Sequence, residues 1–228
     1  NHAAMVEVTL FWLAVVTLVA VVATVIEFAV GNRSLHRLRE TLPLAGDAPP
    51  KVSIIVAGRN EARKIEAALR SVLAQNYLHL EFISVDDRSV DATGTILNRM
   101  AKQDLGLRVV HITELPKGWL GKNHAQHTGA QQASGELLLF TDADVVFEPT
   151  TISRAVNLMQ RERLDHLAIA PDARMPGTML SMFGGAFMIF FGLYAKPWKA
   201  RDPKSKRHIG IGAFNLVRAE VYRAVGGH

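Results

Sequence analysis

From Val8 to Ile26 every position is apolar except Thr9, Thr17 and Thr24. About 20 residues rising about 1.5 Å each cross a hydrocarbon core, so this run predicts a transmembrane helix. Glu7 and Glu27 flank it. A signal peptide would carry a basic leader and a small-residue cleavage site, and neither is present. Arg33, His36, Arg37 and Arg39 follow the run, with no Lys or Arg before it. The positive-inside rule then puts the rest of the chain in the cytoplasm, behind an N-terminal anchor in the cell membrane. Pro43, Gly46, Pro49 and Pro50 mark a linker, so residues 1–50 read as anchor plus linker and 51–228 as a globular domain.

Beyond Lys51 the pattern changes to short apolar runs alternating with helical periodicity. Val52–Ala57 is a β-branched run of strand length. Ile65, Ala68, Leu69, Val72 and Leu73 fall at helical spacing within 62–74. A strand over 81–85 ends in Asp86-Asp87-Arg88-Ser89, and a helix over 92–101 follows, capped by Asp91. A strand over 108–112, a loop rich in Gly, Pro and Trp, and a helix over 123–133 come next. Leu137–Phe140 forms a buried strand that ends in Thr141-Asp142-Ala143-Asp144. A helix over 150–163 and strands over 166–170 and 209–217 complete the set. Strands alternating with helices predict an α/β fold, a mostly parallel Rossmann-like sheet covered on both faces.

Met179–Ala195 is a second apolar stretch, slightly short for a span. A single crossing would separate the 209–217 strand from its sheet. An interfacial or re-entrant helix is therefore expected, with a buried core helix as the alternative. Tyr194, Lys196, Trp198 and Lys199 suit the headgroup level, and Lys204, Lys206 and Arg207 add a patch suited to anionic lipid.

Composition narrows the chemistry. With no cysteine among 228 residues there are no disulfides, thiolate metal sites or cysteine nucleophiles. Lys and Arg number 26 against 21 Asp and Glu, a net charge of +5. The basic residues are not interleaved with aromatics and no RNA or DNA module is recognisable, so nucleic acid is not an expected partner.

Ligands of such sheets bind beyond the carboxyl ends of the strands. The Gly58–Glu61 loop, Asp86-Asp87 and Asp142–Asp144 all fall there. Residues i and i+2 of a strand face one side, so Asp142 and Asp144 are expected to converge on one hard cation, Mg2+ or Mn2+. Such a cation would bridge the phosphates of a nucleotide diphosphate and act as a Lewis acid. Lys122 and Arg59 could contact phosphate, and Asp87 a base or ribose. Neither a Walker-type phosphate loop nor a Gly-x-Gly-x-x-Gly turn follows the first strand.

Ser53–Glu61, Val85–Thr93 and Thr141–Asp144, in that order and spacing, resemble the family-2 inverting glycosyltransferases over the chain from about Lys51 onward. Pro116–Lys122 and the Gly210–Gly227 segment resemble a membrane-bound bacterial branch, hopanoid-associated or ceramide-glucosyltransferase-like. The resemblance implies a GT-A fold, a nucleotide-sugar donor (UDP-sugar most often), Mg2+ or Mn2+, and a lipid or membrane-associated acceptor. Carried over by position, it puts Ala57, Arg59, Glu61 and Asp87 at the uridine and Lys122 near the diphosphate. The Asp142-Ala143-Asp144 turn would hold the donor and metal, with Gly212, Ala213 and Phe214 lining the donor-sugar and acceptor side. In that family an acidic general base follows the Gly-Gly turn. Gly226-Gly227-His228 ends the sequence there, so the base is expected beyond His228, and the chain as given is expected to bind nucleotide and metal but turn over poorly. A nucleotidyltransferase and a non-catalytic nucleotide-binding or scaffold protein remain as alternative readings.

Overall fold

The computed structural model describes every residue except Asn1, Asp47, Leu105, Ala173, Arg174 and Pro203. Two compact units emerge. One holds Asn1–His36 and Ala173–Ile209, the other Arg37–Asp172 and Gly210–His228.

The second unit is built on a six-stranded sheet. Its strands are β1 (Val52–Gly58), β2 (Leu80–Asp87), β3 (Leu107–Ile112), β4 (Leu137–Asp142), β5 (His166–Ala168) and β6 (Asn215–Arg218). In space they run β3-β2-β1-β4-β6-β5. The first four are mutually parallel, and β6 lies antiparallel to both β4 and β5. In β1, Ile54 and Val56 point to one face and Ile55 to the other, as the two-residue strand period requires. Against the first face pack α2 (Ile65–Leu73), α3 (Thr93–Gln103) and α5 (Thr151–Arg161), through Leu69, Leu97, Ile152 and Val156 among others. Burial of each such side chain contributes roughly 1.5–3 kcal/mol. The other face takes α4 (Gly121–Gln131) and the start of α7 (Ala219–Ala224). Small residues let α4 approach closely. A Cβ added at Gly129 would stand 2.5 Å from Ile55 Cγ2 and 3.1 Å from Val85 Cγ2.

Several elements differ from expectation for local reasons. The helix expected from residue 62 begins at Ile65, because Glu61–Lys64 forms a turn whose Lys64 and Ile65 amides both donate to the Glu61 carbonyl at 3.0 Å. β2 extends to Asp87, so both aspartates belong to the strand and face opposite sides. Asp91 does not cap α3 from the N-cap position. Instead it accepts from the Thr93 amide at 2.9 Å and from the Ala62 amide at 3.2 Å, tying two loops together. The strand expected over 209–217 shrinks to Asn215–Arg218, since the Asn215 side chain closes the preceding segment by bonding both backbone groups of Ile211. The strand over 166–170 is only His166–Ala168. The Pro-rich linker is docked rather than loose. Arg154 Nη1 donates to the Thr41 carbonyl at 2.5 Å and Asn157 Nδ2 to that of Leu42 at 2.8 Å.

Glu81, 12% exposed at its side chain, pins the opposite end of the sheet from the candidate site. It accepts from Ser53, from the Ser134 amide at 2.8 Å and from the Ser134 hydroxyl at 3.0 Å. Burial opposes its charge, but the Ser134 and Ser53 hydrogen bonds and the Lys51 ammonium outweigh it and hold its carboxyl below the ordinary glutamate value of 4.5. Glu81 therefore adds stability at neutral pH that fades as the pH falls below about 4.5 and is gone below its lowered folded value. In acid denaturation followed by circular dichroism, Glu81→Gln should lower stability at pH 7 and flatten its decline below pH 5. An unchanged acid limb would show that other carboxylates govern it.

The first unit contains α1 (His2–Arg33) and α6 (Thr178–Ala195). Phe28 and Trp198 meet edge to face at 5.9 Å, and a Cβ at Gly192 would stand 2.6 Å from Phe28 Cε2. Lys196 and Lys199 both reach Glu27, at 2.7 and 3.0 Å. α6 is not a buried core helix: Met179 is 88% and Phe190 71% exposed. Both helices are long and apolar enough to cross a membrane by length and composition.

Candidate functional site at the carboxyl rim of the sheet

Register places the site. Ala57 of β1 pairs with Val85 of β2 on one side and with Asp142 of β4 on the other. By the strand period, Val85 and Asp87 share a face with Ala57 and Asp142, the face that α4 covers. Asp87 and Asp142 thus stand two strand spacings apart with Asp87 two residues further along its strand, so about 12 Å separate their Cα atoms. Ala57 lies on the strand between them, so the two acids stand on one sheet face with a small residue on the intervening strand.

The first turn of α4 lies against both acids. Leu120 precedes it with an extended backbone and makes no side-chain cap among the described residues. Lys122 Nζ sits 2.5 Å from Asp142 Oδ1. Asp87, only 7% exposed at its side chain, is forked by the following residue: Arg88 Nε donates at 2.7 Å and Nη2 at 3.0 Å. Consecutive strand side chains face apart, so this pairing needs a bend, and Arg88 supplies it with a left-handed φ of 56°. A Cβ on Gly121 would come within 2.7 Å of Arg88 Nη2 and 2.8 Å of Asp87 Oδ2. Glycine at the first helical position therefore lets α4 descend onto the ion pair. Gly212 does the same on the other side, where a Cβ would lie 2.7 Å from both Asp142 Oδ2 and Lys122 Nζ.

Asp86 turns to the opposite face. It bonds His111 Nδ1 at 3.0 Å and accepts from the Ser89 amide at 3.3 Å, which shapes the strand-to-helix loop. Glu61 donates its amide to Thr93 Oγ1 at 2.8 Å, and Asn60, with φ 58°, exchanges bonds with Ser89 and Val90. The loops after β1 and β2 are thus stitched into one rim. The Arg59 guanidinium is exposed and has no partner among the described residues.

The Asp-Ala-Asp turn ties its two carboxylates to lysines of different elements. β4 ends at Asp142, and Ala143 and Asp144 occupy a turn, where strand alternation no longer applies. Ala143 is buried in the core with α2, so its main chain alone reaches the rim. Asp144 pairs with Lys64, just before α2, at 2.9 Å, whereas Asp142 is held from the α4 side. That hydrogen bond raises the Lys64 ammonium above its ordinary value. Of the residues expected on the donor-sugar side, Gly212 touches the Lys122–Asp142 pair. Ala213 accepts from Thr141 Oγ1 at 2.8 Å through its carbonyl, and Phe214 is buried against Phe147 at 5.6 Å. Lys64 and Arg88 were not singled out by sequence. Lys64 reads as a surface lysine, and nothing in a one-dimensional pattern folds Arg88 back on Asp87.

The donor set fits a hard divalent cation. Asp142 and Asp144 offer two part-exposed carboxylates at one strand end, the usual protein share for Mg2+ or Mn2+ when a diphosphate completes the shell. Among the described residues no group of three or more His, Asp or Glu could hold a metal unaided.

A mostly parallel α/β sheet with acidic residues at its carboxyl rim, together with the fold it shares with a solved mannosyltransferase, puts the chain in the GT-A fold class. The chain belongs to glycosyl transferase family 2, whose pattern matches residues 53–226. It is 34% identical over 102 residues, 44% of the chain and 26% of the relative, to 4,4'-diaponeurosporenoate glycosyltransferase of Staphylococcus haemolyticus. It is 25% identical over 179 residues, 78% of the chain and 46% of the relative, to the enzyme of that name from Staphylococcus aureus. The chain matches less than half the length of these curated relatives. In fold it is similar to the mannosyltransferase PcManGT from Pyrobaculum calidifontis, solved with GDP-Man and Mn2+. The TM-score is 0.64 at 22% identity, over 92% of this chain and 56% of that one.

Proposed function

We propose that this chain is the donor-binding part of a membrane-anchored, metal-dependent inverting glycosyltransferase. It moves a sugar from a nucleotide-sugar, a UDP-sugar in the first instance, to a lipid or membrane-associated acceptor. The observation that carries this reading is the placement of Asp87 and Asp142 on one face of the sheet, both against the first turn of α4. Asp87 offers acceptors to base or ribose, and the Ala57–Glu61 loop with Arg59 forms the adjoining wall. Lys122 and the α4 amides face phosphate, where helix dipole and ammonium both favour negative charge. Asp142 and Asp144 would hold the cation, which supplies Lewis-acid stabilisation of the leaving diphosphate. Gly212 leaves room beside Asp142 for the donor sugar.

The acceptor assignment draws on the relatives named 4,4'-diaponeurosporenoate glycosyltransferase and on the two long apolar helices of this chain. α1 would be the anchor, with the sheet unit cytoplasmic. The chain leaves the sheet unit after Asp172 and returns to it at Gly210, so α6 enters and leaves on one side and would lie in the interface or re-enter. Residues 1–50 as anchor and linker and 51–228 as the transferase domain remain the proposed division by function.

Calorimetry of the detergent-solubilised chain with nucleoside diphosphates and Mn2+ tests the reading. UDP should bind in a Mn2+-dependent manner and outcompete CDP and ADP. Binding of UDP without any metal dependence would favour a non-catalytic module. Absence of binding by UDP and GDP alike would remove the nucleotide-sugar assignment.

A further inference from the structure

The two carboxylates of the Asp-Ala-Asp turn are each held by a lysine, and the lysines come from different helices. Lys122 of α4 takes Asp142 at 2.5 Å, and Lys64 at the foot of α2 takes Asp144 at 2.9 Å. All four side chains are a third or more exposed, from 34% at Asp142 to 62% at Lys64. These four groups balance one another, and the Glu61 carboxylate lies near enough to act on Lys64 as well. A divalent cation arriving alone would have to displace an ammonium and would leave the cluster with two surplus positive charges. A sugar-linked diphosphate arriving alone would leave two surplus negative charges. When both arrive, the carboxylates take the cation, the ammoniums take the phosphate oxygens, and balance is restored. Charges within a few ångströms of each other at a protein surface interact by kilocalories, so this difference is large enough to order the binding.

We propose that Lys64 is a further donor-binding residue that exchanges Asp144 for the diphosphate, and that this exchange makes cation and nucleotide bind cooperatively. The proposal rests on the nucleotide-sugar reading above and adds to it a residue and a binding order. Lys122 has the same chemistry but is confined between Asp142 and Gly212, where an added Cβ would be 2.7 Å from its Nζ. Lys64 is the freer of the two and is therefore the one expected to swing. Because coupling is reciprocal, UDP must tighten Mn2+ by the factor by which Mn2+ tightens UDP.

The test follows free Mn2+ by electron paramagnetic resonance, and UDP by calorimetry, on the full chain. Each is corrected for Mn2+–UDP association in a protein-free blank. In the unsubstituted chain, UDP should raise Mn2+ affinity at least about tenfold, and Mn2+ should raise UDP affinity equally. Lys64→Met keeps length and removes charge. It should tighten Mn2+ alone at least about threefold, weaken UDP in the presence of Mn2+, and shrink the coupling by the factor by which UDP affinity with Mn2+ falls relative to UDP affinity without it. Lys64→Arg should restore the unsubstituted pattern, which a purely structural role would not require. The exchange is overturned if Lys64→Met leaves both Mn2+ affinity and coupling unchanged, or if Mn2+ alone binds the unsubstituted chain as tightly as with UDP. Failure of both UDP and GDP to bind with Mn2+ present would instead sink the underlying nucleotide-sugar assignment.

Discussion

In the transferase proposed above, of which this chain is the donor-binding part, Asp142→Ala should lower sugar transfer about a hundredfold or more while leaving the fold intact. The substitution deletes a proposed cation ligand and strips Lys122 of its partner at 2.5 Å. Loss of one electrostatic contact to a charge that develops in the transition state typically costs two to three orders of magnitude. The structural penalty is small by comparison, because the pair is 50% and 34% exposed and an exposed ion pair contributes ~1 kcal/mol or less. Thermal unfolding should therefore move by only a few degrees, and Mn2+-dependent UDP binding should fall with activity. Asp142→Asn, which keeps the shape, should fail nearly as badly. A variant that retains more than a tenth of the transfer rate would remove Asp142 from the machinery.

Gly129→Leu should be the most damaging substitution to stability, at about 3 kcal/mol or more. Its position has no room: even the first added carbon would stand 2.5 Å from Ile55 Cγ2, and Ile55 is fully buried in the centre of the sheet. Neither β1 nor α4 can yield without disturbing the other. For a unit of this size a loss of that magnitude lowers the melting temperature by roughly 6–12 °C, measurable by circular dichroism. α4 also carries Lys122, so a displaced helix should weaken UDP binding although Gly129 lies two turns from the rim. A melting temperature within 2 °C of the unsubstituted chain would mean that α4 does not pack as described.

The two effects separate what the rim does from what holds it. Asp142 and Lys122 matter for charge, whereas Gly129, Gly121 and Gly212 matter because they have no side chain. Glycine next to a polar loop is ordinary in sequence. Only the packed structure shows Gly121 lying against Asp87 and Arg88 and Gly212 against Asp142 and Lys122.

Much of the architecture could be read directly. β-branched and leucine-rich runs announced β1, β2, β3 and β4, because buried parallel strands need apolar residues on both faces. Helical spacing announced α2. The sequence also put the acids at strand carboxyl ends, and the ordered motifs pointed to family 2. What failed was local. β6 is four residues long, and the turn before it depends on the Asn215 side chain bonding Ile211, an arrangement without a periodic signature. Strand alternation carries no further than Asp142, where β4 ends and the next two residues turn, so the placement of Asp144 is set by that turn and not by the strand period.

The sequence by itself determined the elements, the apolar helices and the identity of the acids, since these follow from short-range periodicity and residue chemistry. The tertiary structure decided the partnerships. Lys64 holds Asp144, Lys122 holds Asp142 and Arg88 folds onto Asp87, through contacts that span up to 80 positions or depend on one left-handed backbone angle. Which charges neutralise one another depends on where the sheet register and the helix termini bring them, and no local pattern encodes that.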